Sequence, residues 1–291
     1  MTTSSGGSNR SGELRLIINH LLRHKLAVLG LIIVFIIAVV AVTAPWLSEH
    51  DARRTNLRHR FAAPSGEHPL GTDEVGRDVL TRLMYGGRIS LSLGIIVAAI
   101  SVIIGLSFGA ISGYLGGTVD SLMMKFVDFM LCLPFFPILM VLVVVIGGGF
   151  WNLVLIMTIF GWMGVARIVR AEILAVKAQD FVSAARATGA SQARILFRHL
   201  IPNVVAPVIV AATLAVGGAI IGEASLSFLG LGIAPPTPSW GNMLFNARAY
   251  FWNAPALVIW PGLLIFLTVL SVNFIGDGLR DALDPHQRRG N

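Results

Sequence analysis

Charged residues are distributed so that five long stretches of the chain carry none. Lys25 to Glu49 encloses 23 uncharged residues, Arg88 to Asp120 encloses 31, and Asp128 to Arg167 encloses 38. Arg198 to Glu223 encloses 24, and Arg248 to Asp277 encloses 28. A helix needs about 20 apolar residues to cross the hydrocarbon core of a bilayer, so each stretch is long enough to span it. The longest is too long for one helix. Gly147, Gly148 and Gly149 interrupt it near the middle, followed by Trp151 and Asn152. This predicts two helices joined by a tight turn, the first starting near Ser121. Six spans follow: 26–47, 89–113, 121–146, 153–170, 204–222 and 256–275.

Composition agrees. The chain is 55% hydrophobic and only 13% charged, where a soluble domain carries about 25% charged residues. Such a sequence cannot cover a globular surface with charge. The net charge of +7 does not point to nucleic acid, because the basic residues lie between apolar runs, as juxtamembrane Lys and Arg do. Cys132 is the only cysteine, which excludes an intrachain disulfide and a cysteine zinc cluster. It reads as a small buried hydrophobe. The first span is longer than a signal-peptide core and follows a long polar region, and Pro45 would sit just after a cut at Val42-Thr43-Ala44, so it is expected to be retained.

Orientation follows from the basic residues. With a cytoplasmic N-terminus, 14 Lys and Arg lie inside and eight outside. Seven of those eight fall in one long outer segment, and longer translocated loops obey the rule less strictly. The expected organisation is a cytoplasmic N-terminal segment 1–25 and a transmembrane domain 26–275. The domain includes an outer segment 48–88, a cytoplasmic loop 171–201 and an outer loop 223–255. A cytoplasmic tail 276–291 follows. Residues 1–11 are rich in Ser, Gly and Thr and read as flexible.

The cytoplasmic connection between the fourth and fifth spans is the informative segment. Asp180 is a candidate cap for a short helix, and Phe181, Ala184, Ala185 and Thr188 then share one face at three- and four-residue spacing. Small side chains on that face let another surface approach closely. Gly189 suits the helix end, and Pro202 suits the first turn of the next helix. An ordinary basic juxtamembrane loop and a docking helix for a soluble partner both fit this pattern.

Ser183-Ala184-Ala185, Gly189, His199 and Ile201-Pro202 at their spacings resemble the EAA loop of binding-protein-dependent ABC importer permeases. That pattern runs Glu-Ala-Ala, then Gly, then Ile-x-Leu-Pro. This chain keeps Ala184, Ala185, Gly189 and Pro202, with Ser183, His199 and Ile201 at the other positions. Ser183 offers no acid for a salt bridge to an ATPase. His68-Pro69-Leu70-Gly71-Thr72-Asp73-Glu74-Val75-Gly76-Arg77-Asp78-Val79-Leu80 resembles the outer segment of the C-type permease of dipeptide and oligopeptide importers. So do Leu226-Ser227-Phe228-Leu229-Gly230-Leu231-Gly232, Pro235 to Gly241, and the tail Gly276-Asp277-Gly278-Leu279-Arg280-Asp281-Ala282-Leu283-Asp284-Pro285. The four motifs occur in family order.

The resemblance implies an all-α permease of the type I ABC importer architecture in a bacterial inner membrane, both termini cytoplasmic. It implies a homologous second permease, two cytoplasmic P-loop ATPases and an extracytoplasmic binding protein. The chain would be half of a peptide channel and no enzyme, with ATP and Mg on the partners and no cofactor of its own. The coupling helix would comprise Asp180, Phe181, Ser183, Ala184, Ala185, Arg186, Thr188 and Gly189, with Pro202 beyond. Relatives carrying nickel chelates, glutathione or opines share these motifs. The residues agree that ATP chemistry lies elsewhere: a phosphate-binding loop needs a Gly-Lys-Ser/Thr ending, and Lys25, Lys125 and Lys177 do not follow a glycine. No His-Glu-x-x-His occurs, and the Gly-x-Ser-x-Gly at Gly105-Leu106-Ser107-Phe108-Gly109 falls inside an apolar run rather than on a strand-to-helix turn, which argues against a membrane enzyme. A stand-alone secondary transporter would need coupling-ion sites, usually on broken helices in internal repeats; no repeat between the halves is evident.

Two acids remain. Asp128 falls within the third span and Glu223 ends the fifth. Intramembrane acids are costly, so both are candidates for the substrate path or gate, against a paired structural role in the bundle. Pro134 and Pro137 are expected to kink the third span. Trp240 and Trp252 are expected at the interface, in an ordered outer loop that by resemblance helps receive the binding protein. His20 and His24, four apart, read as part of an interfacial helix rather than a metal pair.

Overall fold

The computed structural model describes residues 20–283. Residues 1–11 and the Asp284-Pro285 end of the tail motif lie outside the described residues. The described helices are α1 (Lys25–Leu47), α2 (Val79–Leu115), α3 (Gly117–Cys132), α4 (Phe135–Ile146), α5 (Phe150–Lys177), α6 (Asp180–Ala187), α7 (Ile201–Phe228), α8 (Trp240–Ala247) and α9 (Ala256–Leu283). Five are long and apolar enough to cross a membrane: α1, α2, α5, the rod Gln192–Phe228 that contains α7, and α9. The pair α3 and α4 passes only together, bent by 82°. The expected third span is thus two short helices at a sharp bend rather than one kinked helix. Pro134 lacks an N–H and is the N-cap of α4, while Pro137 lies in the first turn, where a missing N–H costs nothing.

Several helices run past the apolar stretches, because backbone hydrogen bonding continues where charge can reach water. α2 starts at Val79, where the Asp78 carboxylate accepts from the Thr81 N–H at 2.7 Å. The Gly147–Gly149 turn is tight as expected. Gly147 and Gly149 take φ of +96° and +123°, and the Asn152 amide donates to the Ile146 and Gly147 carbonyls at 3.4 and 3.3 Å, meeting the open end of α4.

α2 is the central helix. Gly105, Gly109 and Gly113 form a stripe along it, and a Cβ on them would lie 2.7, 2.4 and 3.0 Å from the carbonyl oxygens of Trp162, Ala166 and Arg170 on α5. Without a hydrophobic drive between helices in lipid, close backbone approach supplies the attraction, and glycine permits it. α1 meets α9 likewise, through Gly30 on the Ser271 backbone and Ala27 on Gly278. His24 accepts from the Ala27 N–H at 3.1 Å, capping α1, and lies 3.7 Å from Asp281 of α9.

The outer segment packs on the N-terminus of α2 around Asp73. Its carboxylate accepts from the Val75 and Arg77 N–H groups and from Arg77 Nε at 2.7 Å, with Arg82 Nε 3.4 Å away. Arg82 is 1% exposed. Trp240 is buried rather than interfacial: Gly86 and Gly87 seat its ring and its indole N–H donates to the Leu83 carbonyl at 3.0 Å. Trp252 is 90% exposed. Cys132 is exposed, not buried, because little else among the described residues covers α3.

Candidate functional site

α6 is a two-turn helix between the C-terminal end of α5 and the start of the Gln192–Phe228 rod. Its cap is Gln179, and Asp180 falls in the first turn, where its charge suits the helix dipole without a side-chain capping bond. The C-terminus closes as a Schellman motif. Ala190 N–H donates to the Ala185 carbonyl and Gly189 N–H to the Arg186 carbonyl, both at 3.1 Å. That closure needs Gly189 at φ +79°. Val182 is fully buried, packed with Val176, Ile195 and Leu200. Everything else projects outward: Phe181, Ser183, Ala184, Arg186, Ala187 and Thr188 are exposed and Ala185 is half-buried. The Phe181 ring lies 6.3 Å from the His199 ring. The result is a short, small-residue surface fastened by one valine.

Pro202 lies in the first turn of α7 as expected, but no loop precedes it. Gln192–Arg194 runs through a π turn, Ile195–Leu200, straight into α7. The Ile201 N–H reaches back to the Leu196 carbonyl. The wide turn accommodates a proline that cannot donate.

The C-terminal ends of α2 and α5 and the start of α3 are tied by charge. Arg170 Nε and Nη2 donate to Asp120 at 2.6 Å each, and Ser112 donates to the same carboxylate at 2.5 Å. Lys177 Nζ donates to the Tyr114 carbonyl at 2.6 Å, closing the end of α2. Further along the same helices, Arg167 Nη2 donates to Asp128. This second pair stays half-exposed, at 50% and 57%.

Glu223 is different. It is 0% exposed, and its carboxylate accepts from Ser90 of α2 at 3.1 Å, Ser227 of α7 at 2.7 Å and Ser239, the cap of α8, at 2.8 Å. Ser90 in turn accepts from the Trp240 N–H, and Ser239 is in a capping box with Asn242. Asp128 and Glu223 are therefore not brought together. Sequence reasoning missed Val182, the Arg167 partner and the three serines; only Val182, one of two large apolar residues in the short helix, left a readable signal.

Residues 105–289 match the family of binding-protein-dependent transport system inner membrane components. The chain belongs to that family. Residues 13–64 match the N-terminal transmembrane domain of oligopeptide transport permease C. The dipeptide transport system permease protein DppC of Alkalihalophilus pseudofirmus is 41% identical over 266 residues, 91% of this chain and 88% of the relative. The oligopeptide transport system permease protein OppC of Haemophilus influenzae is 44% identical over 268 residues, 91% and 86%. A chain of the inward-facing MetNI methionine ABC transporter superposes with a TM-score of 0.57 at 20% identity, over 70% of this chain and 97% of that one, a likeness of fold. The chain is an all-helical, multi-pass permease of the inner membrane, and it is a transporter subunit rather than an enzyme. In such systems ATPase activity lies on partner subunits, and the permease family carries no cofactor on this chain.

Proposed function

We propose that this permease forms one half of the translocation channel of an ATP-driven importer of di- and oligopeptides. A homologous permease completes the channel, two cytoplasmic ATPases drive it and an extracytoplasmic binding protein delivers substrate. The observation that carries the reading is α6, a helix latched by buried Val182 whose other side chains lie mostly exposed, with Phe181 beside His199. It is suited to receive an ATPase surface and to pass its rigid-body movement into α5 and the Gln192–Phe228 rod, to which it is joined at both ends. ATP binding would then bias a two-state channel. The peptide substrate follows the dipeptide and oligopeptide permeases that the chain resembles. Both termini are cytoplasmic, as the basic residues favour.

The Asp128–Arg167 pair supports the half-channel reading. A half-exposed ion pair within the spans is costly against lipid, so it belongs on a face turned to water or to the partner permease. We assign it to that face, and Glu223 to holding the outer bundle together. Purification of the tagged chain from its membranes, with partners identified by mass spectrometry, tests the proposal. A second six-span permease and P-loop ATPases are expected, and Ala184→Asp should lose the ATPases while keeping the permease partner. Recovery of the chain alone, transporting in vesicles without ATP, would overturn it.

A further inference from the structure

Three of the chain's seven histidines gather in the outer segment. The rings of His50 and His68 stack with centroids 4.8 Å apart, and His59 approaches His68 edge-on at 6.0 Å. His68 Nδ1 lies 3.0 Å from Asp78 Oδ2. One ligand atom from each of His50, His68 and Asp78 falls within 4.8 Å of the others. The surroundings orient these groups. His50 Nε2 is 2.8 Å from the Glu67 carbonyl. A carbonyl only accepts, so the proton is on Nε2 and Nδ1 keeps its lone pair. Asp78 Oδ1 is occupied by the Thr81 N–H, which leaves Oδ2 turned to His68. The side chains of His68 and Asp78 are 11% and 2% exposed, and both residues line a cavity of about 720 Å³ together with His50 and His59.

We propose that His50, His68 and Asp78 bind one zinc-like divalent cation on the outer face of the permease. Two imidazoles and a carboxylate are a zinc donor set, with a fourth position left for water or an incoming group. A carbonyl behind one histidine is the outer-sphere support that metal-bound imidazoles use. Nitrogen donors favour zinc, nickel or copper over magnesium or calcium. Ligand atoms around a tetrahedral ion with bonds of about 2.0–2.1 Å lie about 3.4 Å apart. Closing the site therefore asks for about 1.4 Å of movement at most, and His50, the least buried ligand, can supply it. The ion would join the chain just after α1 to the N-terminus of α2 and stiffen the outer segment.

The test uses the assembled transporter purified on a tag without histidines, stripped with a chelator, exposed to zinc chloride or magnesium chloride, and desalted. Elemental mass spectrometry should find about one zinc per permease in the wild type and at least fivefold less in His50→Ala, with no magnesium retained in either. Asp78→Asn keeps an oxygen acceptor for the Thr81 N–H while losing the anionic ligand, and should bind zinc at least tenfold more weakly in competition with a chromophoric chelator. X-ray absorption should report nitrogen and oxygen neighbours. Equal zinc in wild type and His50→Ala, or none in the wild type, overturns the site and leaves His68–Asp78 as a plain hydrogen-bonded pair.

Discussion

Glu223 accepts from three hydroxyls that arrive on α2, α7 and the start of α8. Removing the carboxylate leaves three buried donors to find new acceptors, each at about 1–3 kcal/mol when it fails. Glu223→Ala should therefore lower the melting temperature of the purified complex strongly, and Glu223→Gln, which keeps one carbonyl oxygen, less so. A transport defect without any loss of thermal stability would instead return Glu223 to the substrate path. Gly189 makes a second prediction at this scale. Its φ of +79° costs an alanine roughly 1–2 kcal/mol. Gly189→Ala should fray the end of α6 and weaken ATPase binding without unfolding the spans, read by partner retention at unchanged thermal stability. Of these residues, Gly189 was legible, because glycine at a helix end has a local cause. The serine cradle was not, since Ser90 and Glu223 are 133 positions apart and nothing local links them.

Between elements, the α2–α5 seam depends on a glycine every four residues. A Cβ at Gly109 would stand 2.4 Å from the Ala166 carbonyl oxygen, so Gly109→Val should push the helices apart and abolish stable folding in membranes, whereas Gly164→Ala, with open space around it, should be silent. Comparing the expression of the two variants and their elution in size exclusion tests this. The Gly105-x-x-x-Gly109-x-x-x-Gly113 spacing stood in the sequence, but which helix it would meet did not. α6 carries the complementary prediction. Val182→Ala deletes two methyls from a fully buried site, at about 1–3 kcal/mol, and should loosen the helix locally. ATP-driven transport should fall several-fold while binding-protein docking is kept; equal loss of both would argue for global unfolding instead.

At the scale of the whole molecule, one chain leaves a helix pair uncovered. α3 buries only Asp120 and Val127, and the Asp128–Arg167 pair is half-exposed beside it. Neither arrangement suits lipid on every side, and both suit a partner across a shared path. Asp128→Arg and Arg167→Asp should each cut transport at least tenfold with the protein still folded, because neither group is buried, and the double swap should recover much of it. Normal transport in both single variants would remove the pair from the path. The same pair explains why Asp128 was recognisable and its role was not: an acid in an apolar stretch is visible in one dimension, but its arginine is 39 residues away on another helix.

By itself the sequence determined that the chain is helical and crosses a membrane several times, since hydrophobic length against bilayer thickness is a one-dimensional quantity. It also pointed to a short helix after Asp180 and its glycine stop, which depend on neighbours within a turn, and it supplied the motifs that carry the family. Tertiary structure alone decided that the helix expected over 121–146 breaks at Leu133-Pro134, that Trp240 is buried and Cys132 exposed, and that no loop precedes Pro202. It alone decided what each buried polar group bonds to. Those outcomes depend on which surfaces meet, and in a bilayer the meeting is set by close packing and hydrogen bonds between helices far apart in the chain.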